Sequence, residues 1–392
     1  MANIIKIGLL DLPENRWLDA LSRFDEIYNI VLNPNETNRL NEPRIRSIYL
    51  VDFNDTVIRK KINSAIMRLL INRKNINGLV FWILVKTFRF LNYRRLSRII
   101  NDLDYEYCHS SYNDYDNSDL ITIILKPYLK TQIIRVQKET RPEFSIKEKE
   151  CFNLADVLVF NSRHNLNFFQ EKYGRDLFLN KKVLFDLDED WRKYKVWEYP
   201  VNYRKLSSID GNKHVVILTG TAHCTPNNKR SGSRQFYINL INDLLSFGLC
   251  VHLHAINFEL DENGVNLYEQ IALQQPRFKL HSSLDFVNDT NNAYVQLASY
   301  DFGILHNFID GTSVSFFDRY NVPHRFFEYQ IANVVPVILE NQTIVVEDLI
   351  KIHNCGLILA DYSELQNQIN LNDIKFLTPS FKDYINQLYK EI

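Results

Sequence analysis

The sequence predicts an α/β protein made of two doubly wound, Rossmann-like domains facing across a cleft. Three observations carry this expectation. Short apolar runs alternate with helical stretches along most of the chain, the pattern of a parallel sheet wrapped on both faces. At 392 residues, the chain exceeds the ~250–300 residues at which a single core stops growing. One stretch, residues 186–212, is polar, aromatic and aperiodic, which marks a linker. The expected division is 1–205, 206–378 and a terminal helix over 379–392 that packs back on the first domain.

Each element follows from its own pattern. In the first half, strands are expected at 4–10, 26–32, 46–52, 104–108, 132–137 and 156–161. Helices are expected at 14–23, 58–72, 79–100, 118–129, 145–154 and 163–173. In the second half "HVVILTG" (214–220) reads as a buried strand ending on glycine. The helix at 234–248 has Tyr237, Ile241, Leu244 and Leu245 at helical spacing and a glycine stop. Further strands are expected at 250–256, 278–284, 301–306, 334–339 and 356–360, and helices at 292–300, 345–354 and 362–369. Pro323 opens another helix, because a first turn has no use for its missing N–H. Open α/β sheets bind ligands beyond the carboxyl ends of their strands, so the loops there hold the candidate site.

Composition narrows the class. Apolar residues make up 45% and charged residues 24%, as in ordinary globular proteins. The five cysteines are scattered, odd in number and never spaced as CxxC. That speaks against a disulfide framework and a zinc site, and suits a reducing compartment. The start, "MANIIKIGLLDLPENR", lacks the zones of a signal peptide, and "GLVFWILV" (78–85) is too short to span a bilayer. A cytoplasmic location is therefore expected, with no metal and no cofactor.

Charge is unevenly spread. Residues 56–101 hold eleven Lys/Arg and no acid; with 46 basic and 47 acidic residues in all, the remainder carries about −12. In this segment Ile58, Ile62, Ile66, Leu69 and Leu70 lie near one helical face and Arg59, Lys61, Arg68 and Lys74 off it. Phe81, Trp82, Phe88 and Phe90 follow among further basic residues. One reading is a peripheral contact with the inner face of an anionic membrane, where each Lys/Arg contributes about 1 kcal/mol. Another is a core helix with a solvated basic face, and a third is a grip on an anionic acceptor. No DNA- or RNA-binding motif is present, so nucleic acid is not expected as a partner.

Several residues past strand ends suit ligand chemistry. Thr219, Gly220 and Thr221 read as a small-residue turn that lets backbone approach a ligand. Lys229, Arg230 and Arg234 follow, suited to neutralise a diphosphate or to face water. The long connection after "DFGILH" offers Gly311, Thr312 and Ser313 as small donors. Arg325 and Glu328 share a helix face at i and i+3, as a surface ion pair or as a phosphate and ribose clamp. In the first half, His109 and Glu139 lie just past strands and could act as a general base, or serve as plain loop residues.

The ordered series of the second half resembles the donor-binding half of GT-B glycosyltransferases, especially those like family 4. It runs strand-Thr-Gly-Thr, basic loop, helix, "ASYDFGIL", small-residue loop, "P-x-R-x-x-E-Y-x-x-A", "VPVIL" and "CGLILADYSEL". The resemblance is clearest over 210–370, and "KECFNLADVLVFNSRHNLNFFQEKYG" (149–174) is similar to the run before the family's linker. It implies a hexosyltransferase-type, metal-independent enzyme of polysaccharide biosynthesis that uses a nucleotide-diphosphate sugar and a glycan or lipid-linked acceptor. Glu328 would hold the ribose hydroxyls. Thr221, Lys229, Arg230 and Arg325 would contact the diphosphate. His281, Ser282 and Leu284 would pack against the base, and Gly311 to Ser313 would line the sugar. His109 resembles the family's strand-end histidine. Two positions depart from the pattern. The first carboxylate of the family's Glu-x7-Glu is Tyr320 here, with Asp310 and Asp318 nearby, and "GLLDLPENR" replaces the first-strand glycine pair. The same fold also carries nucleotide-sugar epimerases and hydrolases. The missing carboxylate fits a non-catalytic, glycan-binding partner of a transferase as well.

Overall fold

A computed structural model describes residues 2–7, 24–32, 44–50, 57–72, 77–111, 117–137, 140, 143–160, 162–185, 204–225, 235–286, 289–305, 319–366 and 374–375. The chain divides into two compact units near residue 190. The helices expected at 14–23 and 379–392 lie outside the described residues.

The first unit holds a seven-stranded sheet with every pair parallel, in the order β3-β2-β1-β4-β5-β6-β7. The strands are β1 (Ala2–Ile7), β2 (Phe24–Val31), β3 (Ile45–Tyr49), β4 (Tyr107–Ser111), β5 (Ile133–Gln137), β6 (Val157–Phe160) and β7 (Lys182–Phe185). β5 and β6 are buried at every position, as central strands covered on both faces must be. The helices are α1 (Val57–Asn72), α2 (Gly78–Asn101), α3 (Ser118–Leu125), α4 (Ile146–Leu154) and α5 (Arg163–Tyr173). Asn77, Ser145 and Ser162 cap α2, α4 and α5 by accepting a backbone N–H within the first turn. α2 turns Phe81, Val85, Phe88, Leu96 and Ile100 into the core at helical spacing. Two of the buried cations inside this unit meet a carboxylate. Arg135 on β5 reaches Asp119 at 2.6 Å, and Lys172 reaches Glu148 at 2.7 Å.

The second unit repeats the theme in six parallel strands, ordered β10-β9-β8-β11-β12-β13. These are β8 (His214–Ala222), β9 (Cys250–Phe258), β10 (Phe278–Ser282), β11 (Phe302–Ile304), β12 (Val335–Leu339) and β13 (Leu357–Leu359). Its helices are α6 (Ser207–Asp210, a single turn), α7 (Ile238–Ser246), α8 (Leu267–Gln274), α9 (Thr290–Ala298), α10 (His324–Ile331) and α11 (Ile344–His353). From β8 the chain builds outward to β10. It then crosses back to lay β11 against the other side of β8. The crevice at that reversal is where doubly wound sheets seat ligands.

The structure amends several boundaries. The stretch read as linker includes α6. β8 continues through Ala222 instead of stopping at Gly220, because Thr219 and Thr221 pair with Ala255 and Asn257 of β9. The segment expected as a helix over 362–369 forms a 3₁₀ stretch, Tyr362–Gln366.

Candidate functional site

The crevice between β8 and β11 is closed from beneath by one side chain of α10. Tyr329 lays its ring on Gly303 of β11 so closely that a Cβ there would meet three ring atoms at 2.5 to 2.6 Å. Its hydroxyl takes the Leu218 N–H at 3.3 Å and lies 3.4 Å from the carbonyls of Val216 and Ile304. Burial pushes the Tyr329 hydroxyl pKa well up, so it stays a neutral donor and acceptor. Gln330 holds the far side of the helix by donating to the Cys355 carbonyl at 2.6 Å. α10 is thereby fixed against strand ends on either side.

Arg325 begins the chain of contacts above it. Its Nη1 donates to the Leu218 carbonyl at 3.0 Å and to the Tyr237 hydroxyl at 3.4 Å. Tyr237 donates to Oγ1 of Thr219 at 3.2 Å, and Thr219 donates to the Thr221 carbonyl at 2.9 Å. Tyr237 sits at the N-cap of α7, with its own N–H on the Tyr268 hydroxyl at 3.1 Å. Three elements meet here: the end of β8, the start of α7 and the first turn of α10. Gly220, in the middle, is exposed, and no atom of the described residues lies within 4 Å of where its Cβ would be. A ligand can approach its backbone directly. Glu328 follows Arg325 by three residues on α10 and is half-buried.

The structure relocates some expected residues. Thr219, Gly220 and Thr221 belong to a paired strand, not a turn. His281 and Ser282 end β10, inside the strand expected over 278–284, and Leu284 lies just beyond it. His281 stacks on His254 at 4.5 Å between ring centroids, and its Nε2 lies 3.0 Å from Nδ1 of His252. Burial lowers all three imidazoles, bringing His254 to about 4 and His252 to about 3. His109 is the third residue of β4, not a residue past its end. It pairs with Lys6 and Ile134 and is 2% exposed. Lys229, Arg230, Arg234, Gly311, Thr312, Ser313, Glu139, Asp310 and Asp318 lie outside the described residues. Tyr320 is half-buried.

Among the predicted residues, then, the structure joins Thr219, Thr221 and Arg325 in one hydrogen-bonded series. Tyr237, which completes it, shows in the sequence only as an apolar position of a helix. Its hydroxyl at a helix N-terminus beside a strand end was the one available signal.

No family model matches the chain, and no curated protein matches it either. Solved structures do. A glycosyltransferase from Rickettsia africae ESF-5 is 10% identical at a TM-score of 0.57, with 100% of this chain and 98% of that one covered. A trehalose-6-phosphate synthase, OtsA, is 11% identical at 0.53, covering 100% and 99%. An E. coli structure described as trehalose-6-phosphate bound with UDP-2-fluoro glucose is 11% identical at 0.52, also covering 100% and 99%. With its two parallel sheets in this strand order, the chain has the GT-B fold of glycosyltransferases.

Proposed function

We propose that the chain is a glycosyltransferase that takes its sugar from a nucleotide-diphosphate donor seated at the carboxyl ends of β8 and β11. The observation that carries this is the Arg325–Tyr237–Thr219 series at the sheet's switch point, with Glu328 on the same helix. In this reading the Glu328 carboxylate, an acceptor only, binds the vicinal ribose hydroxyls. Arg325, Thr221 and the exposed backbone of Gly220 face the diphosphate, joined by Lys229, Arg230 and Arg234. His281, Ser282 and Leu284 flank the base, and Gly311, Thr312 and Ser313 the sugar. Fixed N–H groups and guanidinium charge stabilise the departing nucleoside diphosphate, so the transfer itself needs no added divalent ion. A uridine diphosphate sugar is the first donor to try, because one similar structure is described as bound to such a compound.

For the acceptor side, His109 or Glu139 serves as base if the reaction inverts configuration. The acceptor is a glycan or a lipid-linked glycan, reached at an anionic membrane surface through α2.

Calorimetric titration of the full chain with UDP tests the donor assignment. Glu328→Ala is expected to weaken binding ~10–100-fold, the ~1.5–3 kcal/mol of hydrogen bonds to a charged group. Unchanged affinity in a folded variant sinks the ribose role. Rapid loss of donor without any acceptor would instead favour hydrolysis as the activity.

A further inference from the structure

At the opposite end of the second sheet, where β8 and β9 begin, three ligating side chains converge. Asp210 ends α6, His214 begins β8 and Cys250 begins β9. One ligand atom from each lies within 4.8 Å of the other two. Both carboxylate oxygens of Asp210 are 3.1 Å from Nε2 of His214. The geometry points to a zinc-binding site made of Asp210, His214 Nε2 and Cys250 Sγ, with water as the fourth ligand.

The chemistry of the set is selective. Carboxylate, imidazole and thiolate are the three ligand types zinc takes from proteins, at bonds of ~2.0–2.3 Å. A tetrahedron of such bonds spaces its ligand atoms roughly 3.3–3.8 Å apart. The cluster therefore needs to draw inward by up to about 1 Å, and Asp210, exposed at the end of a single helical turn, can do so through Oδ2 while Oδ1 keeps the Asn212 N–H at 2.9 Å. One carboxylate and one thiolate neutralise the dication, which suits a site where His214 and Cys250 are buried.

A second observation comes from behind His214. Its Nδ1 lies 2.9 Å from Nε2 of His252, and Nδ1 of His252 lies 3.0 Å from Nε2 of His281. A metal-bound imidazole needs its other ring nitrogen held by a partner, and this ladder supplies one. When His214 donates its Nε2–H to Asp210, every member of the ladder carries its proton on Nε2. Zinc requires the opposite tautomer, with each Nδ1–H donating onward to the half-buried His281. The proton that leaves Nε2 of His214 is matched by one taken up at Nδ1 of His281, so the ladder's charge is unchanged. The Cys250 thiol proton is the one released.

The backbone frame is already in place. His214 N–H donates to Asp301 at 2.8 Å, Ser207 donates to the same carboxylate at 2.5 Å, and Cys250 N–H donates to the Lys213 carbonyl at 2.9 Å. Zinc here would tie the turn before β8 to the neighbouring strand. The cysteine spacing expected no such site, because its ligands come from three separate elements. The site lies at the amino ends of the strands, away from Arg325 and Glu328, and does not depend on the donor assignment.

The test is zinc titration of the full, tag-free chain after chelator treatment, in competition with a chromophoric chelator. One zinc per chain is expected, with release of about one proton per ion near neutral pH, from the Cys250 thiol. Cys250→Ala and Asp210→Asn should each weaken binding at least tenfold, and His252→Phe about 10–100-fold as a positioning change. The cobalt form should show thiolate-to-metal absorption that Cys250→Ala abolishes. If Cys250→Ala does not fold, Asp210→Asn, at an exposed position, decides. No stoichiometric binding, or binding unmoved by Asp210→Asn, overturns the site.

Discussion

Gly303 decides how near α10 comes to the strand ends. The Tyr329 ring occupies the space a side chain would take, at 2.5 Å from an added Cβ, and the contact is with a buried aromatic that has no room to swing. Gly303→Ala is therefore expected to destabilise the chain by ~1–3 kcal/mol, the usual result of overpacking a core. It should also weaken UDP binding, because Arg325 and Glu328 move with Tyr329. Denaturant titration and calorimetry on the same variant check both effects, and normal stability with normal affinity would show that the ring position is unimportant. At this scale the sequence was partly legible. Arg325 and Glu328 could be named because they share one helix and a short ordered motif. Tyr237 could not, because its role rests on contacts to β8 and α10, 18 and 88 residues away. "YEYCHSS" is polar enough to look like a strand end, whereas β4 continues through His109. That buried polar strand defeats a rule based on apolar runs.

α2 presents two faces with different purposes. Phe81, Val85, Phe88, Leu96 and Ile100 fill the core. Two residues earlier in phase, and so ~200° around the helix, Leu79, Ile83 and Phe90 face outward at 71%, 54% and 83% exposure. Lys86 and Arg94 stand beside them, also exposed. Among the described residues no helix is long and apolar enough to cross a membrane. An exposed apolar stripe flanked by lysine and arginine suits the surface of an anionic bilayer. Vesicle flotation should recover the chain with phosphatidylserine liposomes and not with neutral ones, and Ile83→Glu with Phe90→Glu should abolish recovery. Flotation that ignores the double change would dismiss the membrane contact. The amphipathic period was visible in the sequence, but its phase was not. Of the readings left open for this segment, the core one holds for Phe81 and Phe88, and on α1 Ile62 and Leu69 are exposed while Met67 is buried. Short elements leave little trace in the sequence. β7 is four residues long, and α8 buries Tyr268 alone, so neither leaves a strong periodic signal.

At the scale of the whole molecule, the alternation of strands and helices survives where residue identity does not. Similar structures match end to end at 10–11% identity, because a parallel sheet asks for apolar runs of the right length and order and tolerates many choices within them. Both units carry their first strand beside their fourth, which places a switch point in each. In the second unit a buried tyrosine, an arginine and threonines meet at that point, and the donor proposal rests on this series. The most direct measurement is the structure of the full chain crystallised with UDP. Uridine diphosphate is expected at the carboxyl ends of β8 and β11, its ribose hydroxyls on Glu328 and its phosphates facing Gly220 and Arg325. UDP bound elsewhere, with that crevice empty, would contradict it.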